Sequence, residues 1–513
     1  MTERIKCYLL NSLCRLFYQR EYQKFIRIKD LKKQQSVKLL TVLRKNETCV
    51  YGKKFGFHKI KNITEYQKAV PLTTYEDYLP FIEKIKNGEQ NILTSEPVLL
   101  LEPTGGSTSA TKLIPYTKSL QVEFQKGIKP WLYDLYTQNP ELNWGKSYWS
   151  ITPATMPKKY TKGGLPIGFA EDSEYLGGLG KRLLKHVLVV PDEIVQEKNM
   201  ANFYKKTALA LLKCRNLIFI SIWNPSLLIL ILKYIEENLA ELLLDLPWSR
   251  RTEAEKYSEA KAYDKLWPYL KVISCWGDAH AHLYFQKLQG LFPQVYLQPK
   301  GLLATEGFVS FPLTGEKGAR LSLNSHFFEF ISPKNKQIYL AHELTPGQEY
   351  EVVITTSGGL YRYQLNDLIE VIGFQGPFPL LKFKGKGDKV CDLFGEKLHE
   401  DFLKNIMDSL GLKDVFYMFA PEKNGYVLYI QTEQSIPHNL DEMLRTNFHY
   451  DYCRKLGQLQ AVKVFKLTGD PLQEYLRECV RRGQKLGDIK PTVLHLESGW
   501  DQVFTGSYIR EGT

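Results

Sequence analysis

A layered α/β fold is predicted by three observations. Between residues 98 and 375, apolar runs of β type (Val98–Leu101, Ser147–Ile151, His186–Val190, Leu217–Ile222, Leu270–Cys275 and Glu351–Thr355) alternate with helical segments, as in helices packed on a mostly parallel or mixed sheet. At 513 residues the chain is too long for one core. Composition then turns to Gly and Pro at Gly373–Pro379 and to a Gly/Lys run at Lys382–Lys389, which reads as a domain boundary. The expected organisation is a large N-terminal domain, 1–380, with mixed sheets flanked by helices. A small mobile α+β domain, 381–513, follows it.

Taken in order, the N-terminal segment 1–97 reads as helical. Residues 1–60 hold fifteen Lys/Arg against four Asp/Glu, nearly all of the net charge of +12. Ile5, Leu9, Leu10, Leu13, Leu16 and Phe17 recur at helical spacing between the basic residues, so the segment is expected to be a solvated amphipathic helical pair ending near Tyr51–Gly56. Thr74 followed by Asp77 marks a helix entry. The most hydrophobic stretch, Asn216–Leu232, is broken by Asn224–Pro225, which separates a β run from a leucine-rich helix; neither half spans a bilayer.

Composition excludes several classes. Hydrophobic content of 43% with 24% charged residues is that of a globular chain. Eight cysteines (7, 14, 49, 214, 275, 391, 453 and 479) are scattered without a Cys-x-x-Cys pair or a zinc spacing, which points to free thiols in a reduced cytoplasm. Arg15 and Arg20 interrupt any secretory h-region. No aromatic-interleaved RNA-binding signature accompanies the basic residues, so no nucleic-acid partner and no stable membrane insertion are expected. His280 and His282 share a face only on a strand, and the helical pattern after them argues for a structural role.

The segment Leu101–Lys112 carries the chemistry. Glycines Gly105 and Gly106 let backbone amides approach phosphate oxygens, the hydroxyls of Thr104, Ser107, Thr108 and Ser109 add donors, and Lys112 adds charge. A polyphosphate such as ATP fits. The spacing is not that of a P-loop, because Lys112 lies between Thr111 and Leu113.

The order Thr-Gly-Gly-Ser-Thr-Ser-x-x-Lys resembles the phosphate loop of the adenylate-forming superfamily, and more narrowly that of the Gretchen Hagen family of acyl-acid amido synthetases. Four further segments follow in that family's order. Thr305-Glu306 resembles its Thr/Ser-Glu pair, which implies that Thr305 contacts the α-phosphate and Glu306 holds Mg²⁺. Gly359–Val371 resembles its Tyr-Arg-x-x-x-x-Asp segment, which implies that Asp367 accepts the ribose hydroxyls. Lys384–Lys389 is similar to the hinge, with Lys386 in place of the usual Arg. Gly483–Pro491 is similar to the loop carrying the adenylation lysine, implying Lys490, or alternatively Lys485, in that role. The turn Trp276-Gly277-Asp278 would lie beside the adenine. Departures from the family pattern are Ala110 and Asn366, where Gly is common, Leu302 for an aromatic, and Thr492-Val493 where an Arg is usual.

The resemblance implies an ATP-dependent acyl-acid amido synthetase with ATP and Mg²⁺ as cofactors. Its partners would be a carboxylic acid and an amine, that of an amino acid. An acyl-CoA ligase shares the first step, and a silent nucleotide-binding relative is the alternative from another class.

Overall fold

The computed structural model describes residues 3–103, 112–149, 159–168, 186–190, 194, 197, 199–278, 281–386, 390–391, 393–394, 396, 398–412, 415–436, 439–455, 458–484 and 486–509. Helices come first: α1 (Glu3–Ile26), α2 (Leu31–Lys45), α3 (Val50–Lys54), α4 (Ile63–Ala69) and α5 (Tyr75–Lys86). Side chains close their first turns. Asp30 accepts the amide of Lys33 at 2.9 Å, Asn62 that of Glu65 at 2.9 Å, and Asp77 receives the amide of Thr74 at 2.8 Å. The expected entry at Thr74 is therefore present.

Helix α1 corrects the sequence reading of its faces. Cys7, Asn11, Cys14, Tyr18 and Phe25 are buried, while Ile5, Leu9, Leu13, Leu16 and Phe17 point to solvent. Periodicity located a stripe but not the face that packs. The inward face is chosen by Asn11, whose amide donates to the carbonyls of Asn143 and Gly145, each at 3.2 Å.

The strands β1 (Val98–Pro103) and β2 (Leu113–Thr117) flank the glycine-rich segment and pair antiparallel, Pro103 opposite Leu113. β4 (Lys159–Tyr160) and β5 (Pro166–Ile167) complete this sheet in the order β2-β1-β5-β4. A parallel sheet follows, β3-β6-β7-β8, built from β3 (Lys146–Trp149), β6 (Leu217–Ser221), β7 (Val272–Cys275) and β8 (Tyr296–Pro299). Helix α6 (Lys118–Gln138) precedes it, and α7 (Met200–Lys213), α8 (Pro225–Glu237), α9 (Leu239–Leu244), α10 (Trp248–Glu259), α11 (Tyr263–Leu266) and α12 (His282–Leu291) lie between its strands. Every residue of β6 is buried, as suits a parallel strand covered on both faces. Asn224 begins α8 where the Asn-Pro pair predicted a break, accepting the amide of Ser226 at 3.0 Å. His186–Val190 supplies a single bridge, Ser147 to Leu188, where a strand was expected.

The hairpin β9 (Leu303–Ala304) and β10 (Gly307–Phe308) leads into a seven-stranded sheet of order β11-β12-β17-β16-β15-β13-β14. Its strands are β11 (Ser310–Pro312), β12 (Ala319–Leu321), β13 (Phe327–Ile331), β14 (Ile338–Leu340), β15 (Glu349–Thr355), β16 (Tyr363–Gln375) and β17 (Phe378–Lys386). The Gly/Pro run read as a boundary is the turn between β16 and β17, whose residues pair in register from Gln375–Phe378 back to Asp367–Lys386. A division at residue 380 would cut β17, because Gly and Pro serve a tight turn as readily as a linker. Beyond it lie β18 (Val390–Cys391), β19 (Leu398–His399), α13 (Glu400–Ser409), β20 (Tyr417–Glu422), β21 (Gly425–Ile430), α14 (Leu440–Leu444), α15 (Phe448–Lys455), β22 (Lys463–Leu467), α16 (Pro471–Arg481) and β23 (Gly506–Tyr508). This C-terminal α+β region has the sheet order β20-β21-β22-β23. One apolar cluster joins the N-terminal helices, α6 and the seven-stranded sheet. A second joins the parallel sheet and its helices to Phe416, Met418, Tyr429, Tyr475 and Trp500 of the C-terminal region.

Two buried charge clusters fix these parts. Glu123 of α6 pairs with Lys38 of α2, and accepts the amide and hydroxyl of Ser357 at 2.9 and 2.6 Å and Nδ1 of His326 at 3.1 Å. His326 Nε2 in turn accepts the amide of Phe308 at 2.9 Å, so the imidazole is neutral with its proton on Nδ1. Burial, the largest influence on both groups, lowers the His326 pKa; for Glu123 it is outweighed by Lys38, His326 and the hydrogen bonds, which bring the carboxyl down to about 2. In the second cluster Arg362 pairs with Glu329 through two bonds of 2.9 and 3.0 Å and donates to the carbonyls of Gln67 and Val70 at 3.0 and 2.8 Å. Arg362 is held at φ +50, a left-handed conformation that the pairing sustains.

Replacing Arg362 by Met leaves the Glu329 carboxylate buried and unpaired, and urea unfolding is expected to show a loss of about 3–5 kcal/mol. Glu123→Gln tests the other cluster. A depressed carboxyl contributes stability above its unfolded pKa and loses it as pH falls through the folded one. The deficit of the variant, about 3 kcal/mol at neutral pH, should therefore shrink between about pH 4.5 and about pH 2 in denaturant melts.

Candidate functional site

Thr305 and Glu306 are the two turn residues of the β9–β10 hairpin, in which Gly307 faces Ala304. A turn this short leaves their positions to the strands, and three contacts hold those strands. The Tyr116 hydroxyl donates to the Thr305 carbonyl at 3.0 Å, His326 accepts the Phe308 amide, and Ser310 Oγ accepts the amide of Leu302 at 2.9 Å. Gly307 packs closely here, since a Cβ would meet His326 Nε2 and Ile354 Cδ1 at 3.0 Å each and would have to displace them. Leu302, which replaces an aromatic, is buried.

Lys112 stands immediately before β2, its ammonium 5.8 Å from the ring centroid of Tyr75. The Tyr75 hydroxyl accepts the amide of Leu113 at 2.7 Å and so fixes the chain leaving the glycine-rich segment. Burial raises the pKa of Tyr75 and of Tyr363, and the charge of Glu306 raises both further. Lys112, Glu306 and the start of β16 therefore border one region.

Asp367 is buried on β16, opposite Lys386 on β17. The register between β15 and β16 passes from Glu351–Leu368 to Val353–Gln364, so β16 bulges over Leu365–Asp367. Asn366 takes φ +57 within this bulge. That explains both the glycine common at this position in the resembling family and the replacement found here, because Asn is among the side chains that best tolerate a left-handed conformation.

The carboxyl edge of the parallel sheet carries a second group of residues. Trp149 ends β3, Trp223 lies two residues beyond β6, Trp276 follows β7 and Lys300 follows β8. The Trp276 amide donates to the Trp223 carbonyl at 2.8 Å, and their rings lie 6.0 Å apart. Lys300 donates to Ser221 Oγ at 2.9 Å, with its ammonium 4.4 Å from the Trp131 centroid and 5.3 Å from that of Trp223. Burial among these rings pushes its pKa down to about 7, against the smaller opposing effect of Cys275. Nearby on the sheet, Gln298 Nε2 and Trp149 Nε1 are buried without a hydrogen-bond partner, polar groups that a ligand or water can satisfy.

The C-terminal loop reaches this edge. Asn224 Nδ2 donates to the Ile489 carbonyl at 2.6 Å, and the Tyr475 hydroxyl donates to that of Lys490 at 3.2 Å. The Lys490 ammonium lies 3.9 Å from the Trp276 centroid and 5.6 Å from that of Phe383. Asp278, raised in pKa by burial, accepts the Phe383 amide at 3.1 Å and ties the Trp276 turn to β17. Two segments singled out in the sequence, Trp276–Asp278 and Lys490, are thus in contact although more than 200 residues apart.

Thr104, Gly105, Gly106, Ser107, Thr108, Ser109, His280 and Lys485 lie outside the described residues, and of Lys386 only the backbone is described. His282 begins α12, where it bonds Gln286 at 2.9 Å. No cluster of three or more His, Cys, Asp or Glu among the described residues could hold a metal. The oxygen donors Glu306 and Thr305 fit a hard cation that completes its shell from phosphate and water. Sequence reasoning missed Lys300, Trp149, Trp223 and the Glu123–His326 pair. The one available signal was aromatic residues near the carboxyl ends of β-type runs.

Comparison with known proteins points to one family. Three family models match in order: the GH3 family N-terminal domain at residues 24–250, the central domain at 320–386 and the C-terminal domain at 400–498. The chain is 25% identical over 527 residues to the indole-3-acetic acid-amido synthetase GH3.3 of Arabidopsis thaliana, covering 88% of this chain and 87% of that protein. It is 23% identical over 401 residues to the jasmonoyl–L-amino acid synthetase JAR4 of Nicotiana attenuata, covering 69% of each. The solved structure of GH3.15 acyl acid amido synthetase in complex with 2,4-DB superposes with a TM-score of 0.76 at 18% identity, covering 97% of both chains. The chain belongs to the GH3 family, whose relatives named here are amido synthetases, ligases that form amide bonds.

Proposed function

We infer that the protein is an ATP-dependent acyl-acid amido synthetase. It activates a carboxylic acid as an acyl-adenylate and transfers the acyl group to the amine of an amino acid. The observation that carries this reading is the meeting of the Lys490 loop with the carboxyl edge of the parallel sheet, the place where α/β folds hold ligands.

In the first step a carboxylate oxygen attacks the α-phosphorus of ATP, the bond to the β-phosphate oxygen breaks, and pyrophosphate leaves. Lys490 stabilises the charge that develops on the α-phosphate, and Lys112 with the segment 104–109 binds the leaving phosphates. Asp367 accepts the ribose hydroxyls, as an acceptor-only carboxylate can. Thr305 contacts the α-phosphate, and Glu306 would hold Mg²⁺, which when bound neutralises phosphate charge. Trp131 and Trp223 offer faces to an apolar acid body, and Lys300 a cation to its carboxylate. In the second step the neutral amine attacks the acyl carbonyl, AMP departs, and the nitrogen loses a proton. The relatives' names favour an amino acid over coenzyme A as acceptor.

Carboxylate-dependent exchange of pyrophosphate into ATP, screened over aryl, indole and fatty acids, tests the reading. Exchange with one class, followed by amide formation on adding amino acids, is expected. Thioester formation with coenzyme A instead would make the protein an acyl-CoA ligase, and no exchange with any acid would leave a silent nucleotide-binding relative. Lys490→Ala should lower exchange by about 100-fold or more with ATP binding retained, the size expected for a lost charge-stabilising donor. Unchanged exchange would remove Lys490 from its role.

A further inference from the structure

Helix α1 presents an apolar face that none of the described residues covers. Leu16 is 62% exposed, Leu9 53%, Phe17 51%, Ile5 43% and Leu13 40%, a stripe running about 18 Å along the helix at 1.5 Å per residue. The orientation is fixed from the opposite side. Asn11 is buried and committed to the carbonyls of Asn143 and Gly145, so rotating the leucines inward would strand it. Large contiguous apolar faces on a soluble chain mark interaction sites.

Charge and aromatic placement identify the occupant. The line Leu9, Leu13, Leu16 continues at the same three- and four-residue spacing into Arg20, Lys24 and Arg27, all exposed. The carboxylates of α1 are neutralised, Glu3 by Lys146 and Glu21 by Lys24, and among the described residues Lys6, Arg20 and Arg27 have no ion pair. At the flank of the stripe Tyr8 stacks on Trp144 at 4.3 Å and Arg4 covers Tyr269 at 4.8 Å, with all three rings more than a third exposed. Rings with an apolar body and a polar tip suit the depth of lipid headgroups. A second copy of the chain would bring two strongly basic faces together, which repel. No described helix is long and apolar enough to cross a membrane, so contact is confined to one face.

We propose that α1 docks the protein onto an anionic phospholipid surface, inserting Ile5, Leu9, Leu13, Leu16 and Phe17 among the acyl chains with the basic residues on the headgroups.

Co-sedimentation of the full chain with phosphatidylcholine vesicles, with and without about 30 mol % phosphatidylserine, tests the proposal. Binding that needs the anionic lipid and weakens with salt is expected. Leu9→Glu with Leu16→Glu should lower the bound fraction about tenfold or more, while thermal melts stay unchanged because both positions are solvent-facing. Lys6→Glu with Arg20→Glu should weaken binding to anionic vesicles only. Failure of the wild-type chain to bind either vesicle would overturn the proposal, as would equal binding by the Leu9→Glu/Leu16→Glu variant. A dimer in solution that this variant makes monomeric, without vesicle binding, would assign the face to a second copy and overturn it equally.

Discussion

The buried carboxylate of Glu123 is the constraint on which the rest depends. Around it meet α2 through Lys38, the turn after β15 through Ser357, and the β9–β10 hairpin through His326. A charge removed from water at this depth is tolerable only when fully paired, and here it has a cation and three hydrogen-bond donors. Because His326 relays the bond to the Phe308 amide, the position of the Thr305–Glu306 turn is set by a residue 183 positions earlier in the chain. Arg362 plays the matching part for the strand that carries Asp367. Both clusters lie at the border of the candidate site and fix the backbone around Thr305–Glu306 and Asp367.

How much of this was legible in the sequence depended on the range of the interaction. Local chemistry was readable: the Thr74–Asp77 entry and the Asn224–Pro225 break rest on residues a few positions apart. Asn366 was visible as a departure, and its reason emerged only with the φ of +57 in the bulge. Gly376–Pro377, read as part of a domain boundary, makes a turn whose flanking strands pair, and strand pairing cannot be read from composition. The α1 faces were misjudged for a different reason. Hydropathy rates Cys7, Asn11, Cys14 and Tyr18 below the leucines, yet hydrogen bonding by Asn11 decides which face turns inward. The Glu123–His326 pair and the edge group of Trp149, Trp223, Trp276 and Lys300 join segments that are remote in sequence. They become a site only once the order β3-β6-β7-β8 is known.

The two halves of the candidate site differ in how they are held. The side that carries Thr305, Glu306 and Asp367 is held by buried ionic bonds within the large part of the chain. The carboxyl edge is completed from outside it, by a hydrogen bond from the Asn224 amide to the Ile489 carbonyl and by the Lys490 ammonium on Trp276. Asn224 does two jobs at once, capping α8 with its oxygen and holding the C-terminal loop with its nitrogen. Loss of the second contact would leave the helix cap intact, so a departure of the loop would spare the start of α8, although Leu486 and Ile489 are packed in the apolar cluster of the sheet.

The apolar cluster shared by the parallel sheet and the C-terminal region bears on how such a departure can happen. Tyr429, Tyr475 and Trp500 belong to the same packed body as Leu228, Ile231 and Leu288. A wide swing would part these surfaces and expose apolar area to water at a cost of about 25 cal/mol per Å². Sliding keeps that area covered while side chains exchange neighbours. A motion that carried Lys490 away from Trp276 would therefore have to slide along this apolar surface, and its extent would be set by how far those rings can slip before they lose their partners.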